Sequence, residues 1–385
     1  MAATKHGRGH RWAVRWRDPD GEQKELLFGR KTGPQGADAK ASEIEGQLSA
    51  GTYNDPKAGK IKVKVFGTEW LSRLTVDESS MEGMISRFGV HVWPYLGSRE
   101  LATLERQPSM VQAWNHGLQE RVSASYARTI FANVSQMFQA AVEDGMIRRN
   151  PCKVKAVVKR PQVEPKKIIP WLPGWVEGVR EALPASYQTM VDLGSGCGLR
   201  QGEIFGIAEE DIDFEAGVIH IRRQVKRLRS RPVFALPKFR KERIVPLPNT
   251  TASRLREHLR KHPPRTITLK WQEQGRPEES WKERSVRLIF STREKGAIDR
   301  DYFNDKVWKP SLIKAGLGAG PWENTMHCLR HFYASVLLSA GVSIRALADH
   351  LGHTDPSFTL RRYVHLMPRD DDKARQAIDA LFTGS

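Results

Sequence analysis

Cysteine is scarce in this chain: Cys152, Cys197 and Cys328 are the three present in 385 residues, scattered and odd in number. That excludes a disulfide framework and points to a reducing compartment. No CxxC pair and no paired Cys/His spacing suggests zinc. Long apolar runs are missing too, so no bilayer-spanning helix is expected. The opening MAATKHGRGHRW is charged and has no apolar core of the kind a secretory signal needs, so a cytoplasmic location is the expectation. Acidic residues are outnumbered, 44 Asp and Glu against 62 Lys and Arg, for a formal net charge of +18. An excess of that size favours a polyanionic partner, because cations that neutralise phosphates release counterions. Charge alone leaves open a protein that is simply basic and soluble. Internal repeats and low-complexity segments are absent as well.

What is present organises the chain into three parts. Residues 12–17 alternate apolar and polar side chains, Asp18-Pro19-Asp20-Gly21 is a strong turn signal, and 23–28 can return as a second strand. Residues 37–48 have helical composition and Gly51 ends them. This first part, 1–58, reads as a small β module plus helix. Its cations, among them Arg15, Arg17 and Lys24, could line a ribbon that enters a DNA groove, or could be a solvated charged hairpin. Residues 54–60 look like a linker. The second part, 59–158, is helical in pattern, and its clearest helix runs over 125–146 with Ile130, Val134, Met137, Phe138 and Ala141 at helical spacing. Pro94 is expected to break the helical pattern there. A Lys- and Pro-rich stretch over 153–167 reads as a second linker, lying along DNA or merely solvated. The third part, 159–385, is mostly helical with a strand-rich insert, in short β-prone runs at 218–222, 233–236 and 243–247. The fold class expected is mainly α with small β elements, an α+β chain.

Chemistry-bearing residues gather in the third part. In Gly196-Cys197-Gly198-Leu199-Arg200-Gln201-Gly202-Glu203-Ile204 a glycine-rich turn meets a helix start, which favours anions at Arg200, with Glu203 one turn on to hold it. The run lacks the order of a P-loop or of a dinucleotide fingerprint, so a nucleotide site is a weak reading. Lys238, with Arg240 and Lys241, lies on a basic turn between two β-prone arms, read as a hairpin. By itself such a lysine is a solvated cation or a phosphate contact; in a groove it could protonate a leaving oxygen. His327 and Arg330 are three apart at the start of another helix, on one face, as joint phosphate contact would need. Gly352 ends a further helix and presents His353, and Tyr363 follows within Arg361-Arg362-Tyr363-Val364-His365. Most tyrosines pack or hydrogen-bond at a surface; here, among cations, attack on phosphate becomes plausible. A metal site built from His327, His331, His350 and His353 is disfavoured, because carboxylates are scarce around them and the arginines would repel a cation.

GLRQGEI around Arg200, HCLRH around Arg330, LGH at His353 and RRY at Tyr363, in this order and spacing, resemble the tyrosine recombinase or phage integrase family. The resemblance covers roughly residue 168 to the C-terminus for the catalytic domain. The helical part is similar in size and position to the family's core-binding domain, and the N-terminal module looks like an arm-type DNA-binding domain. It implies a site-specific recombinase of a temperate phage or integrative element, acting on double-stranded DNA at attachment sites as a homotetramer, with a host DNA-bending factor and an excision factor as further partners. Such an enzyme would be nucleoid-associated. Arg200 and Arg330 would bind the scissile phosphate, His353 would add a hydrogen bond, and His327 would be the base. Lys238 would be the acid for the leaving 5′-hydroxyl, and Tyr363 would form a 3′-phosphotyrosyl link. Glu203 would orient Arg200, and His331 would support the site. Neither metal nor ATP nor another cofactor is implied, since the phosphoester energy stays in the protein–DNA bond. Cys328 stands where the family often has an acidic residue, and Phe239 where Thr or Ser is common. The segment over 374–382 resembles a tail that packs on a neighbouring subunit. Alternatives are a type IB topoisomerase-like nicking and resealing enzyme, a resolvase or chromosome-dimer recombinase, and a DNA-binding regulator without catalysis.

Overall fold

The computed structural model describes residues 4–6, 11–19, 21–51, 58–163, 168–320, 323–366, 375–376 and 378–380. The chain divides into two units, Met1–Glu164 and Pro165–Ser385. Among the described residues no helix is long and apolar enough to cross a membrane.

The first unit holds two separate apolar clusters. In the smaller, the alternation of Arg11–Arg17 turns Trp12, Val14 and Trp16 to one face, and antiparallel pairing with Gln23–Phe28 sets Val14 opposite Leu26. The helix Ala37–Ser49 closes over that face with Ala37, Ala41 and Ile44. A third strand, Thr4–His6, pairs with the other edge of Arg11–Arg17. The larger cluster is helical. Its longest helix, Ala124–Glu143, buries Ala127, Ile130, Val134, Met137, Phe138 and Ala141 in the stripe expected from the sequence. Each large apolar side chain so buried is worth about 2 kcal/mol. A Cβ on Gly67 would stand 2.5 Å from Trp93 and 2.7 Å from Met137, so the helix Val63–Arg73 comes this close only through a glycine. Pro94 sits in the first turn of a new short helix, Trp93–Leu96, where a missing N–H is not needed.

Both stretches expected as linkers are more anchored than their composition suggests. Residues 54–57 lie outside the described residues, but Ala58–Lys60 is a 3-10 turn with Gly59 buried. In the second, Val158 is buried and the backbone of Lys159 is held by Gln112 at 2.9 Å and Asn115 at 2.8 Å; residues 164–167 lie outside the described residues.

In the second unit the helix Gln188–Cys197 is central, packed by Pro173–Ala182, Asn249–Lys261 and His327–Ser339. A three-stranded antiparallel sheet runs in the order Ile212–Asp213, Val218–Ile221, Arg243–Pro246. The hairpin expected around Lys238 does not form. Arg231–Ala235 pairs instead with Gln224–Leu228, through a tight turn in which Arg229 and Ser230 both have positive φ. The nearer strand takes that edge, because two residues of left-handed backbone match the twist of a hairpin. Lys238 therefore rides on a connection between two sheets. A further hairpin, Arg265–Lys270 with Glu283–Leu288, was not expected from the sequence. In the segment over 374–382, residues 374, 377, 381 and 382 lie outside the described residues.

Candidate active site

The site is organised around the C-terminal end of one helix, Ile344–Leu351: the Gly352 N–H caps the carbonyls of Ala348 and Asp349, which leaves those of His350 and Leu351 for other donors. Three guanidinium groups take them up. Arg200 Nη2 donates to Leu351 O at 3.0 Å and leans on Gly352 O at 3.5 Å. Arg330 Nη2 donates to the same Leu351 O, and Arg243 Nε donates to His350 O at 2.7 Å. The negative end of the helix dipole favours each of these cations. Gly352 makes this approach possible: its φ is +60°, and a Cβ there would stand 3.0 Å from the Arg243 side chain. On the opposite side Gly198, at φ +67°, ends Gln188–Cys197 and turns its carbonyl to Arg330 Nη1 at 2.7 Å.

One carboxylate sits among the three cations. Glu203 receives Arg200 Nη1 at 2.9 Å and both terminal nitrogens of Arg243 at 2.9 and 2.7 Å, and it also accepts the backbone N–H of Arg200 at 2.9 Å. Burial pushes its carboxyl up, but Arg243, Arg200 and Arg330 outweigh burial and hold it at about 2. Burial and then Arg200 press Arg330, 1% exposed, down to about 9, so it stays cationic at neutral pH. Three guanidiniums against one carboxylate leave a fixed positive excess in a dry place, which an incoming anion would neutralise. Arg243 was not singled out from the sequence. Its one signal is placement: it begins a strand of alternating burial and falls on the inward side, where a cation needs a partner.

Tyr363 ends the helix Pro356–Tyr363, which starts at Asp355 with the side chain accepting Ser357 N at 2.8 Å. The phenol is 2% exposed, in a cluster with Tyr333, Leu338, Leu347 and Leu351. Its hydroxyl lies 2.7 Å from His331 Nδ1. His327, expected as the partner of the phenol, instead meets the His331 ring edge-on at 4.5 Å. Burial, then Arg330, Arg200, Arg362 and Lys238, press His327 down to about 4. Burial, then His327, Arg362 and Arg330, take His331 to about 3. Both rings are therefore neutral at physiological pH, and the cations around them oppose a second proton. Burial raises the Tyr363 hydroxyl, with Arg330, Arg362 and Arg200 pulling the other way, so it keeps its proton at rest.

His353 follows Gly352 and bonds on both sides, with Nε2 3.2 Å from Arg330 Nη2 and Nδ1 2.7 Å from Thr359 Oγ1. Lys238 lies exposed on a 3-10 turn, Lys238–Arg240, in which Phe239 and Arg240 take positive φ, and its ammonium stands 5.2 Å over the Phe239 ring. Lys241 reaches Asp349 at 3.8 Å. In the first unit the cations expected to meet DNA are engaged locally: Arg15 with Glu25 at 3.0 Å, Lys24 with Asp18 and Glu22, and Arg17 with Gly21 O. Among the described residues no group of three His, Cys, Asp or Glu is arranged to hold a metal ion.

Comparison with known proteins bears on this arrangement. The chain is 27% identical over 290 residues to a "Tyrosine recombinase XerC-like" protein of Caldanaerobacter subterraneus subsp. tengcongensis, covering 70% of this chain and 69% of that one. Its fold is similar to the Tn1549 transposon integrase solved with transposon right end DNA, at a TM-score of 0.66 and 19% identity over 83% of this chain and 99% of that one. It is also similar to lambda integrase, solved as a tetramer bound to a Holliday junction, with a TM-score of 0.58 and 15% identity over 92% and 96%. The phage integrase family matches residues 176–369, just over half of the chain and all of the residues just described around the helix end. The chain belongs to the phage integrase family.

Proposed function

We propose that this chain is a site-specific DNA recombinase that cuts and rejoins strands through Tyr363. The observation that carries the reading is that Arg200 and Arg330 both donate to the carbonyl of Leu351, which brings two planar cations to one point in a dry site. A scissile phosphate would offer its non-bridging oxygens to them and gain the excess charge of the cluster. Tyr363 Oη would then attack phosphorus and give its proton to His331, the imidazole in contact, with His327 beside it. The P–O5′ bond breaks as the Tyr–O–P bond forms, and Lys238 would supply the proton to the leaving 5′-oxygen. A 5′-hydroxyl from a partner strand would reverse the step, so the phosphoester bond is conserved and the balance needs no nucleotide.

The assembly proposed is the tetramer described for lambda integrase, on attachment-site DNA. The three parts 1–58, 59–158 and 159–385 are proposed as arm-type DNA-binding, core-binding and catalytic domains, and a nucleoid location follows from such a partner. The test is covalent trapping on nicked attachment-site DNA, in which loss of a short fragment prevents religation. Wild type should accumulate a protein–DNA adduct and Tyr363→Phe should bind the DNA without forming one. Binding with no adduct in the wild type would contradict the proposal and favour a regulator that keeps the fold alone.

A further inference from the structure

The two partners of His353 fix its tautomer. Arginine offers only donors, so His353 Nε2, 3.2 Å from Arg330 Nη2, must be the acceptor. The neutral ring therefore carries its proton on Nδ1 and donates it to Thr359 Oγ1 at 2.7 Å. In this form Nε2 has no hydrogen for a phosphate oxygen. To donate there with Nδ1–H still on Thr359, the ring must gain a second proton and become an imidazolium; a neutral Nε2–H ring would instead require the Thr359 hydroxyl to turn and donate to Nδ1. Thr359 is fully buried, so no solvent stands ready to replace it. It also lies four residues before Tyr363 on the helix Pro356–Tyr363, hence on the same face as the phenol.

Resting on the reading of the site as a DNA-cleaving one, the geometry points to Thr359 as a positioning residue. Its hydroxyl holds His353 in the orientation, and stabilises it in the doubly protonated form, in which Nε2–H reaches the scissile phosphate. The same bond ties that histidine to the turn of helix that carries the nucleophile. The proton is taken up from solvent when DNA binds and is released when DNA leaves, and no covalent bond is made or broken at His353. The charged and titratable groups near the ring are Arg330, His327 and His331 from the helix His327–Ser339, Arg200 from the turn before Gln201–Gly206, and Arg243 from the strand Arg243–Pro246. The Phe358 ring meets it edge-on at 4.9 Å. Burial first, then those three arginines and His327, oppose the imidazolium, so an incoming phosphate and the Thr359 acceptor are what favour it.

Thr359→Val keeps the shape and removes the acceptor; Thr359→Ser restores it. Single-turnover adduct formation on nicked attachment-site DNA should fall about 10- to 100-fold in Thr359→Val, the worth of one hydrogen bond to a charged group. The alkaline limb of its pH–rate profile should move to lower pH by about one unit. DNA affinity should change little, and Thr359→Ser should recover both rate and profile. A Thr359→Val protein that matches wild type in both, or one that slows with an unmoved profile and is not recovered by serine, overturns the proposal. Failure of the wild type itself to form an adduct would instead overturn the underlying reading of function, and this inference with it.

Discussion

The arginine cluster and the Lys238 turn belong to one proposed reaction but are built in opposite ways. Arg200, Arg330 and Arg243 are locked by the end of one helix, by Gly198 and by Glu203, each with several partners within 3.5 Å. Lys238 is exposed on a turn whose next residue, Phe239, is a bulky aromatic with φ +66° and 57% exposure. Such a backbone state costs an L-residue on the order of 1–2 kcal/mol. The difference teaches that the cations of the proposed phosphate clamp are held by the protein's own groups, whereas Lys238, the proposed proton donor, stands exposed with the Phe239 ring beside its ammonium. Preorganised charge needs no rearrangement at the moment of reaction, which is where electrostatic catalysis gains most.

Substitutions can break or sharpen that contrast. Arg330→Ala removes a charge-assisted donor from the dry side and should slow adduct formation about a thousandfold; a rate near wild type would mean that Arg330 does not touch the phosphate. Glu203→Gln strips the one carboxylate from the cluster and should cost about 3 kcal/mol of folding stability, since it leaves buried cations unpaired. The same residue sets a pH signature. Its folded value, about 2, lies below the ordinary 4.5, so its contribution is fully present above 4.5 and is lost as pH falls toward 2. Thermal melts of the wild type should weaken across that window, and those of Glu203→Gln should lose this component of the slope. Lys238→Ala should cost about a hundredfold on ordinary DNA. A bridging 5′-sulfur, which departs without a proton, should restore that rate, yet leave Arg330→Ala slow. If sulfur rescues neither, Lys238 is not the acid. The smallest effect is expected at His331→Phe, about tenfold slower as the contacting proton acceptor is lost. His327→Phe proving the more damaging of the two would hand that role to His327.

Much of the clamp was legible in the sequence because it is local. Arg200 follows a glycine-rich turn, Arg330 lies one turn after His327, and Gly352 must stand where a helix ends, so spacing places each group on its own helix; the resemblance of the four motifs to the family is what implied one site. What the sequence did not disclose is the pairing over long range. Arg243 reaches Glu203 across 40 residues and the Leu351 carbonyl serves Arg200 across 151, and no periodicity marks such partners. The Lys238 hairpin was misjudged for a related reason. Two β-prone arms flank it, but a third strand at Gln224–Leu228 competed for the same edge and won through its short turn. The helices of the first unit were the easiest to see, since a stripe such as that of Ala124–Glu143 is repeated over about four turns. The exchange between His327 and His331 lay beyond reach, because both occupy the same helical face one turn apart and only the packing of Tyr363 decides between them.

The most direct measurement is to isolate the adduct formed on nicked attachment-site DNA, digest the protein and identify the amino acid joined to the 3′-phosphate. The account predicts that residue to be Tyr363, with no adduct from Tyr363→Phe at undiminished DNA binding. A link to any other side chain, or an adduct that survives the phenylalanine substitution, contradicts it.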